Sequence, residues 1–330
     1  MENVTDRLTL SLLDDWQRDF PIVSRPFDVI GQSLGLSGAE VITRLDAQCR
    51  LGRVTRVGAT CAPNTVSAST LAALAAPEDR IEEIAAIIGA EEGVNHSYLR
   101  EDEWNMWFVA TGPDRAHVDA TLGRIEHRSG LRVLDLRLVR PFNVDLGFAM
   151  KQSGSTISRS TPVDLSVCEQ GDRTILQILT KGLPLTSQPF LTIAESLGRT
   201  EDDVMIRIRA LIEAGIVSRC GVIVRHRALG WRSNAMVVWD LTPSEIDEVG
   251  PLLAAQKGVT LCYERQPVEG IWPYRLYTMI HARSRAEALG ILERIAQLPQ
   301  LQSVPHKALF SVRCFKQTGA LIKVRSEEAA

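Results

Sequence analysis

The sequence lacks the motifs of several large functional classes. No apolar run reaches 18 residues, so no transmembrane helix is expected. The six cysteines stand singly, without a CxxC, an HExxH or a Cys/His pair at zinc spacing, so neither structural zinc nor a thiolate-bound cluster is expected. Neither GxGxxG nor GxxxxGKS/T follows a strand-like run, and nucleotide binding therefore has no support. The chain carries no bound-cofactor signature.

An excess of charge of either sign is also missing. The 37 basic and 40 acidic residues leave a formal net charge of −3, so no global positive field would draw the protein to DNA or to an anionic membrane. The N-terminal segment is acidic and amphipathic, and it lacks the basic region and the cleavage site of a signal peptide. We therefore expect a cytoplasmic globular protein, with neither nucleic acid nor a membrane among its partners.

Internal repetition is what the sequence does contain. Residues Ser24–Gly58 align with Ser187–Gly221 without a gap, and 14 of these 35 positions are identical. Further along the chain, Glu92–Arg100 matches Lys257–Arg265. A stretch rich in Ser, Thr and Gly separates the two copies. The chain is thus predicted to be a tandem duplication of one unit of about 150 residues.

Each copy begins with a helix-turn-helix pattern. In copy 1, Pro26 opens a short helix, and Ser37 and Glu40 have the spacing of a capping box for the helix that follows. In copy 2 the same signals recur, with Pro189 at the start and Thr200 as the N-cap. The strand-like segments VTRVGA and IVSRCGVIV come next, and they are predicted to be the wing strand of each copy.

The remainder of each copy alternates strand and helix signals. In copy 2 the order is βαββαβ, which is typical of a ferredoxin-like fold, and copy 1 repeats it. We predict an α+β protein in five parts. These are a winged helix-turn-helix domain at residues 1–62, a ferredoxin-like domain at 63–150, a linker at 151–171, a second helix-turn-helix domain at 172–226 and a second ferredoxin-like domain at 227–330.

This tandem architecture resembles the Lrp/AsnC transcription regulators, in which a helix-turn-helix domain precedes a βαββαβ effector domain. Segments at residues 93–108, 133–148, 258–281 and 307–320 resemble more closely the siroheme decarboxylases, in the fused two-subunit form associated with haem d1 biosynthesis. The most specific motifs are the His-x-Tyr at His96–Tyr98 and the WPYxLY run at Trp272–Tyr277.

The resemblance implies a reaction. Siroheme would lose the carboxylates of two acetate side chains as CO2, which makes the enzyme a carboxy-lyase and the product 12,18-didecarboxysiroheme. The family needs no added cofactor, and the iron belongs to the substrate rather than to a metal site of the protein. Candidate partners are companion proteins of haem d1 biosynthesis and further copies of this chain.

The main alternative is a DNA-binding regulator with a small-molecule effector. Recognition helices usually carry Arg, Lys, Asn or Gln near their N-termini. Copy 2 instead begins this helix with Thr200 and three acidic residues at 201–203, which suit helix capping but would repel phosphates. We therefore favour a scaffold or dimerisation role for the helix-turn-helix domains. A third hypothesis is a non-catalytic tetrapyrrole carrier or sensor.

Histidine suits the proton transfer that completes a decarboxylation. His96 alternates with Tyr98 and Arg100 along one strand, so these three side chains are predicted to share one face, with a solvated sheet face as the alternative. His226 lies between two arginines just after the wing, where a basic surface turn is the alternative. His281 is predicted to occupy a turn position at the end of a strand.

The repeat makes the two selected histidines unlike each other. His96 aligns with Leu261, and His226 aligns with Pro63, so each copy supplies an imidazole that the other copy lacks. If the copies pack through their sheets, both imidazoles can meet in one composite site. We predict that His96 and His226 are the catalytic acid/base pair, without deciding which one donates the proton. Either imidazole can also reach the substrate iron.

Arginine forks can hold the carboxylates of such a substrate, and flat aromatic rings can line its macrocycle. The predicted substrate-binding residues are Tyr98, Arg100, Arg225, Arg227, Tyr263, Arg265, Trp272 and Tyr274. Tyr98 and Arg100 are the repeat equivalents of Tyr263 and Arg265. For the aromatic residues of the WPYxLY run, packing in the core is the alternative.

Overall fold

The computed structural model describes residues 6–143 and 162–324. Residues 151–161 of the predicted linker and residues 144–148 of the last strand-like segment of copy 1 lie outside this range. The elements of copy 1 are α1 (Arg7–Asp15), α2 (Pro26–Leu34), α3 (Gly38–Arg50), β1 (Val54–Cys61), β2 (Ala68–Leu74), α4 (Ile81–Ala90), β3 (Val94–Arg100), β4 (Met106–Gly112), α5 (Arg115–Ser129), β5 (Leu134–Leu136) and β6 (Leu138–Asn143). The elements of copy 2 are α6 (Asp172–Lys181), α7 (Pro189–Leu197), α8 (Glu201–Glu213), β7 (Val217–Val224), β8 (Ser233–Trp239), α9 (Pro243–Ala254), β9 (Val259–Arg265), β10 (Leu276–Ala282), α10 (Arg285–Ala296) and β11 (His306–Gln317).

The predicted helix signals are present in both helix-turn-helix units. Gly35 adopts a left-handed conformation with φ of 69° at the turn after α2, a conformation that favours glycine. Ser37 and Glu40 form both hydrogen bonds of a capping box at the start of α3. Thr200 makes only the first of the two bonds, because the Asp203 carboxylate pairs with an arginine instead. The signals therefore set the helix boundaries in both copies, with a weaker cap on α8.

The two predicted wing strands are present, and their pairing joins the two copies. β1 of copy 1 pairs antiparallel with β7 of copy 2, so the two wings form a single ribbon across the copies. Gly58 lies opposite Gly221 at the centre of this ribbon. A Cβ atom on Gly58 would lie 2.3 Å from the Leu179 carbonyl oxygen, and one on Gly221 would lie 2.4 Å from the Gln17 carbonyl oxygen. Glycine at both positions therefore lets the helices of the opposite copy approach the ribbon.

The first helix of each copy packs on the wing strand of the other copy. The Leu183 amide after α6 donates to the Val57 carbonyl on β1, and the Val222 amide on β7 donates to the Trp16 carbonyl after α1, both at 2.7 Å. Apolar residues from both units join one core. Glu201, in the acidic first turn of α8, accepts a hydrogen bond from the Ser24 hydroxyl of copy 1 at 2.9 Å. The helix-turn-helix units thus serve as an interface between the copies.

Within the described residues, the other strands form one sheet in the order β5-β2-β4-β3-β11-β8-β10-β9-β6. Each copy alone has the strand order of the predicted ferredoxin-like fold. The last strand of each copy then crosses over: β11 pairs with both β8 and β3, and β6 pairs with β9. Because only Arg137 separates β5 from β6, the sheet begins and ends on one continuous segment and closes on itself.

Closure gives the sheet two kinds of face. The outer face of each copy packs on its own pair of helices, α4 and α5 in copy 1 and α9 and α10 in copy 2, and each forms a separate apolar core. The inner face carries a mixed core in which Trp107 of copy 1 meets Trp272 and Tyr277 of copy 2. The β1–β7 ribbon lies beside this inner space, so side chains from both copies converge there.

Candidate active site

A cavity of about 290 Å³ lies between the inner face of the closed sheet and the β1–β7 ribbon. Side chains from both copies line it. The lining from copy 1 is Thr55, Arg56, Thr60, Leu71, His96, Tyr98, Arg100, Trp107, Phe108 and Val109, and the lining from copy 2 is Arg219, Ile223, Val224, His226, Asn234, Met236, Leu261, Tyr263, Arg265, Tyr277, Met279, His281 and Gln317. The predicted pair His96 and His226 therefore faces one shared space.

The cavity is cationic. Arg56, Arg100, Arg219 and Arg265 line it, and among the described residues no Asp or Glu does. Burial lowers the pKa of Arg56 and of Arg100 to about 10, so both guanidinium groups stay charged at neutral pH. The buried Nε groups of Arg56, Arg100 and Arg265 have no acceptor among the described residues. A bound acceptor such as a carboxylate would offset the cost of burying these donors.

Two tyrosine–arginine pairs form matching walls. The Arg100 guanidinium lies over the Tyr98 ring at 5.6 Å, and the Arg265 guanidinium lies over the Tyr263 ring at 5.3 Å. Arg100 also donates to the Leu309 carbonyl at 3.0 Å. Arg265 donates to the carbonyl of Leu136, the matching position in the last strand of copy 1, at 2.9 Å. The crossed last strands thus orient these side chains in the same way in both copies.

His96 lies on β3, and its Nδ1 atom is 3.3 Å from the Tyr98 hydroxyl. Burial, assisted by the charge of Arg56, lowers the pKa of His96 to about 4. Burial also raises the pKa of Tyr98, so the phenol stays protonated and can donate to Nδ1. This hydrogen bond favours the tautomer that keeps its proton on Nε2. The prediction that His96, Tyr98 and Arg100 share one face agrees with their common position on the cavity wall.

His226 begins a short 3₁₀ turn just after β7. Burial, followed by the influence of His281 and the charge of Arg219, lowers the pKa of His226 well below its ordinary value. The His226 ring centroid lies 5.8 Å from that of His281, with the rings tilted by 56°. His226 is therefore a neutral imidazole at the cavity wall, adjacent to a second one.

The prediction of a turn position for His281 is wrong. β10 continues to Ala282, so His281 is still within the sheet and pairs with Asn234 of β8. Tyr277, Met279 and His281 alternate along β10 and all line the cavity. Counting every second residue along β10 from Tyr277 would have identified His281 as a cavity residue, because alternate residues of a strand face the same side.

Arg56 and Arg219 are the other site residues that sequence analysis missed. They occupy the same position of the repeat, in the wing strands, where each was treated as part of a strand pattern only. Because the wings pair across the copies, both guanidinium groups face the cavity. Both copies carry arginine at this position of the repeat, and this match was the sequence signal that could have identified the two residues.

Four predicted binding residues do not line this cavity. Arg225 and Arg227 are exposed, and Arg225 lines an adjoining cavity of about 390 Å³. Trp272 is buried, donates to the Tyr277 hydroxyl at 2.8 Å and meets Tyr274 edge-on. This arrangement matches the core-packing alternative for the WPYxLY aromatics. Trp272 therefore packs against the cavity-lining Tyr277 and does not line the cavity itself.

The described residues contain no cluster of His, Cys, Asp or Glu that could hold a metal ion. None of the helices in the ranges 6–143 and 162–324 has the length and apolar character needed to cross a membrane.

Two family models match the chain. The AsnC-like ligand binding domain matches residues 66–142 and 228–316, and the siroheme decarboxylase NirDL-like HTH domain matches residues 10–52 and 172–217. The chain is 52% identical over 317 residues to the siroheme decarboxylase NirDL subunit of Paracoccus denitrificans (strain Pd 1222), which covers 96% of this chain and 98% of that protein.

Solved structures give the same result. The crystal structure of a siroheme decarboxylase NirDL superimposes with a TM-score of 0.67 at 26% identity, covering 95% of this chain and 94% of that one. A siroheme decarboxylase NirDL in co-complex with an iron-uroporphyrin III analogue gives a TM-score of 0.66 at 25% identity, with coverages of 96% and 94%. These matches confirm the predicted α+β fold class and the resemblance on which the functional interpretation rests.

Proposed function

The chain belongs to the siroheme decarboxylases of the NirDL type, and on this basis we propose that it acts on siroheme itself as a carboxy-lyase. It removes two acetate carboxylates as CO2 and releases 12,18-didecarboxysiroheme for haem d1 biosynthesis. The iron enters with the substrate, and the siroheme ligand occupies the cavity that both copies line.

The cationic lining carries the proposal. Siroheme has eight carboxylate groups, and a cavity with arginines and no acidic residue among its described lining is complementary to such a polyanion. Arg100 and Arg265 form one pair of carboxylate anchors, and Arg56 and Arg219 form a second pair on the ribbon. Their burial strengthens each charge-assisted hydrogen bond, because few waters compete for the donors.

The chemistry requires one proton for each acetate. Loss of CO2 from a side-chain carboxylate leaves the electron pair of the broken carbon–carbon bond in the macrocycle, and a proton then converts the methylene carbon to a methyl group. His96 is the proposed donor: as imidazolium it can release the Nε2 proton and return to neutral imidazole, and the Tyr98 hydroxyl, 3.3 Å from Nδ1, orients the ring. His226, from the other copy, orients the reacting side chain and is the second member of the acid/base pair.

Substrate binding itself should prepare the imidazoles for this role. Burial and a neighbouring arginine hold the pKa of His96 near 4 in the absence of an anion. Bound carboxylates neutralise the arginines and favour imidazolium, so they raise this pKa toward the working range. We expect siroheme binding to be accompanied by proton uptake from the buffer.

The size of the macrocycle calls for the adjoining space as well. A cavity of about 290 Å³ is at the lower end of ligand sites. The adjoining cavity of about 390 Å³ shares Thr55, Arg56 and Gln317 with it. It also carries Lys181, Arg225 and Lys316, beside the acidic Glu92. Peripheral carboxylate arms of siroheme would extend there, which gives Arg225 a binding role outside the main cavity.

The test is anaerobic incubation of the purified chain with siroheme, followed by mass spectrometry of the tetrapyrrole. We expect the loss of two CO2 units from the substrate. Binding without a mass change would contradict the proposed reaction and favour a carrier. Absence of an absorbance change with siroheme, together with a fluorescence-anisotropy shift on promoter DNA, would favour a regulator.

A further inference from the structure

The strongest unassigned feature of the site is a chain of hydrogen bonds that holds His281. Arg100 of copy 1 donates from Nη1 to the Asn234 side-chain oxygen at 3.3 Å. The Asn234 amide nitrogen is 2.7 Å from His281 Nε2, and the Thr260 hydroxyl is 2.8 Å from His281 Nδ1. The Thr260 hydroxyl also donates to the Met279 carbonyl at 3.1 Å. Both ring nitrogens of His281 are therefore engaged.

The directions of these bonds fix the state of His281. Because the Asn234 oxygen accepts from Arg100, its NH2 group must face His281, and Nε2 can only accept. Because the Thr260 proton is used by the Met279 carbonyl, the Thr260 oxygen accepts, and Nδ1 must donate. His281 is thus held neutral in a single tautomer. If Nε2 were protonated, its N–H group would face the Asn234 NH2 group, so two hydrogen-bond donors would point at each other.

The other end of this arrangement is His226. The His226 and His281 rings lie 5.8 Å apart between centroids, and both line the cavity. Thr260 does not line it, and its hydroxyl reaches the cavity indirectly, through His281 Nδ1 and the main-chain carbonyl of Met279 on the same strand. The chain of hydrogen bonds also links copy 1 to copy 2, since Arg100 lies over Tyr98 on the wall that carries His96.

Copy 1 has no equivalent of this arrangement. The strand registers place Thr111 opposite Ser69 in copy 1, where copy 2 has His281 opposite Asn234. Thr111 donates to the Gly93 carbonyl at 3.0 Å and accepts from the Leu321 amide at 2.9 Å, which is a structural role. His281, whose two ring nitrogens are both engaged, therefore has no histidine counterpart at the matching position of copy 1. This arrangement is found on the copy 2 side of the cavity.

We propose that His281 is a positioning residue, fixed by Arg100, Asn234 and Thr260, that holds the His226 imidazole in its working orientation. This inference rests on the proposed function, since it assigns His226 to the reaction. Arg100, the proposed carboxylate anchor of copy 1, would then also help to orient the His226 imidazole of copy 2. Loss of the Thr260 hydroxyl should disturb the orientation of His281 and His226 without removing any side chain that lines the cavity.

The test compares Thr260→Val, which removes the acceptor for His281 Nδ1 at nearly constant volume, with Thr260→Ser, which keeps it. We expect Thr260→Val to lower kcat for CO2 release about 10- to 100-fold, because small misplacements of catalytic groups cost rates of this order. The dissociation constant for siroheme, from anaerobic absorbance titration, should change less than about threefold. Thr260→Ser should restore most of the lost turnover.

Several outcomes would overturn the inference. The first is a kcat of Thr260→Val within about twofold of the wild type. The second is a loss that affects siroheme affinity but not kcat. The third is a loss of kcat that Thr260→Ser shows to the same extent. If Thr260→Val does not fold by circular dichroism, His281→Gln is tested instead; because His281 itself lines the cavity, the deciding measurement is kcat at saturating siroheme, which should show the same loss. A wild-type chain that releases no CO2 contradicts the proposed function as well, whereas an active wild type with an unaffected variant contradicts only the role of His281.

Discussion

The two halves of the cavity differ in a selective way. The groups suited to binding are duplicated, whereas the imidazoles are not. The matched pairs are Arg56 with Arg219, Tyr98 with Tyr263 and Arg100 with Arg265; the unmatched positions are His96 against Leu261, His226 against Pro63 and His281 against Thr111. Anchors with the same geometry in both copies can hold carboxylates all around a disc-shaped ligand. Under the proposed mechanism, the unlike imidazoles would determine where on that ligand a proton is delivered.

Both copies contribute to the one cavity. The crossed last strands and the shared wing ribbon bring both halves to one cavity, so neither copy encloses it alone. Siroheme has no two-fold symmetry, and its reacting acetates are two among eight carboxylates. A symmetric set of anchors with an asymmetric set of imidazoles matches such a substrate. We propose that the duplicated arginines and tyrosines bind the substrate and that the few diverged positions give the reaction its selectivity.

The largest effect should come from removing an imidazole that only one copy carries. His96→Leu gives copy 1 the residue that copy 2 carries at Leu261, and it should lower CO2 release at least about 100-fold, because a general acid contributes about that much. His226→Ala should have a comparable effect. The matched control is Leu261→His, which adds an imidazole to copy 2 without removing one. Undiminished turnover of either histidine variant would remove that residue from the mechanism.

The anchors should respond equally in the two halves. Arg100→Gln and Arg265→Gln each remove one charge-assisted interaction, worth about 1.5–3 kcal/mol, so each should weaken siroheme binding about 10- to 100-fold. An anaerobic titration followed by absorbance measures both. A strong effect in one half and none in the other would show that the frame is not symmetric in function.

The buried imidazoles should make the fold sensitive to acid. The pKa of His96 is about 4 in the folded chain against 6.5 for the free side chain, and the pKa of His281 is about 3. The unfolded chain therefore binds more protons below pH 6.5, and the free energy of unfolding falls as the pH decreases from about 6.5 toward 4, by up to about 1.4 kcal/mol per pH unit for each group. Urea unfolding at several pH values should show a shallower decline for His96→Leu, and an identical decline would contradict the buried, neutral His96.

The smallest effect is expected for Trp272, which packs against cavity-lining residues but does not line the cavity itself. Trp272→Phe removes the hydrogen bond to the Tyr277 hydroxyl and should reduce the free energy of unfolding by about 1 kcal/mol. Siroheme affinity should change less than about threefold, because the indole does not line the cavity. A loss of affinity as large as that of Arg100→Gln would place Trp272 in contact with the substrate after all.

Sequence patterns predicted the local features of this site and missed the distant ones. Period-two alternation placed His96, Tyr98 and Arg100 on one face because the spacing of side chains along a strand is local. The pairing of β1 with β7 and the crossing of β6 and β11 depend on which edges meet after the copies pack, and no local pattern encodes that choice. Arg56, Arg219 and the strand position of His281 were missed for this reason. The internal repeat nevertheless contained the asymmetry between His96 and Leu261, which tertiary structure then converted into one shared site.

The central claim is that imidazoles from opposite copies serve one siroheme site. A crystal structure of the chain with siroheme bound under anaerobic conditions tests it most directly. The account predicts one macrocycle per chain, with His96 and His226 facing it from opposite halves and carboxylates on Arg100 and Arg265. A macrocycle held by a single copy, or two macrocycles in separate sites, would contradict it.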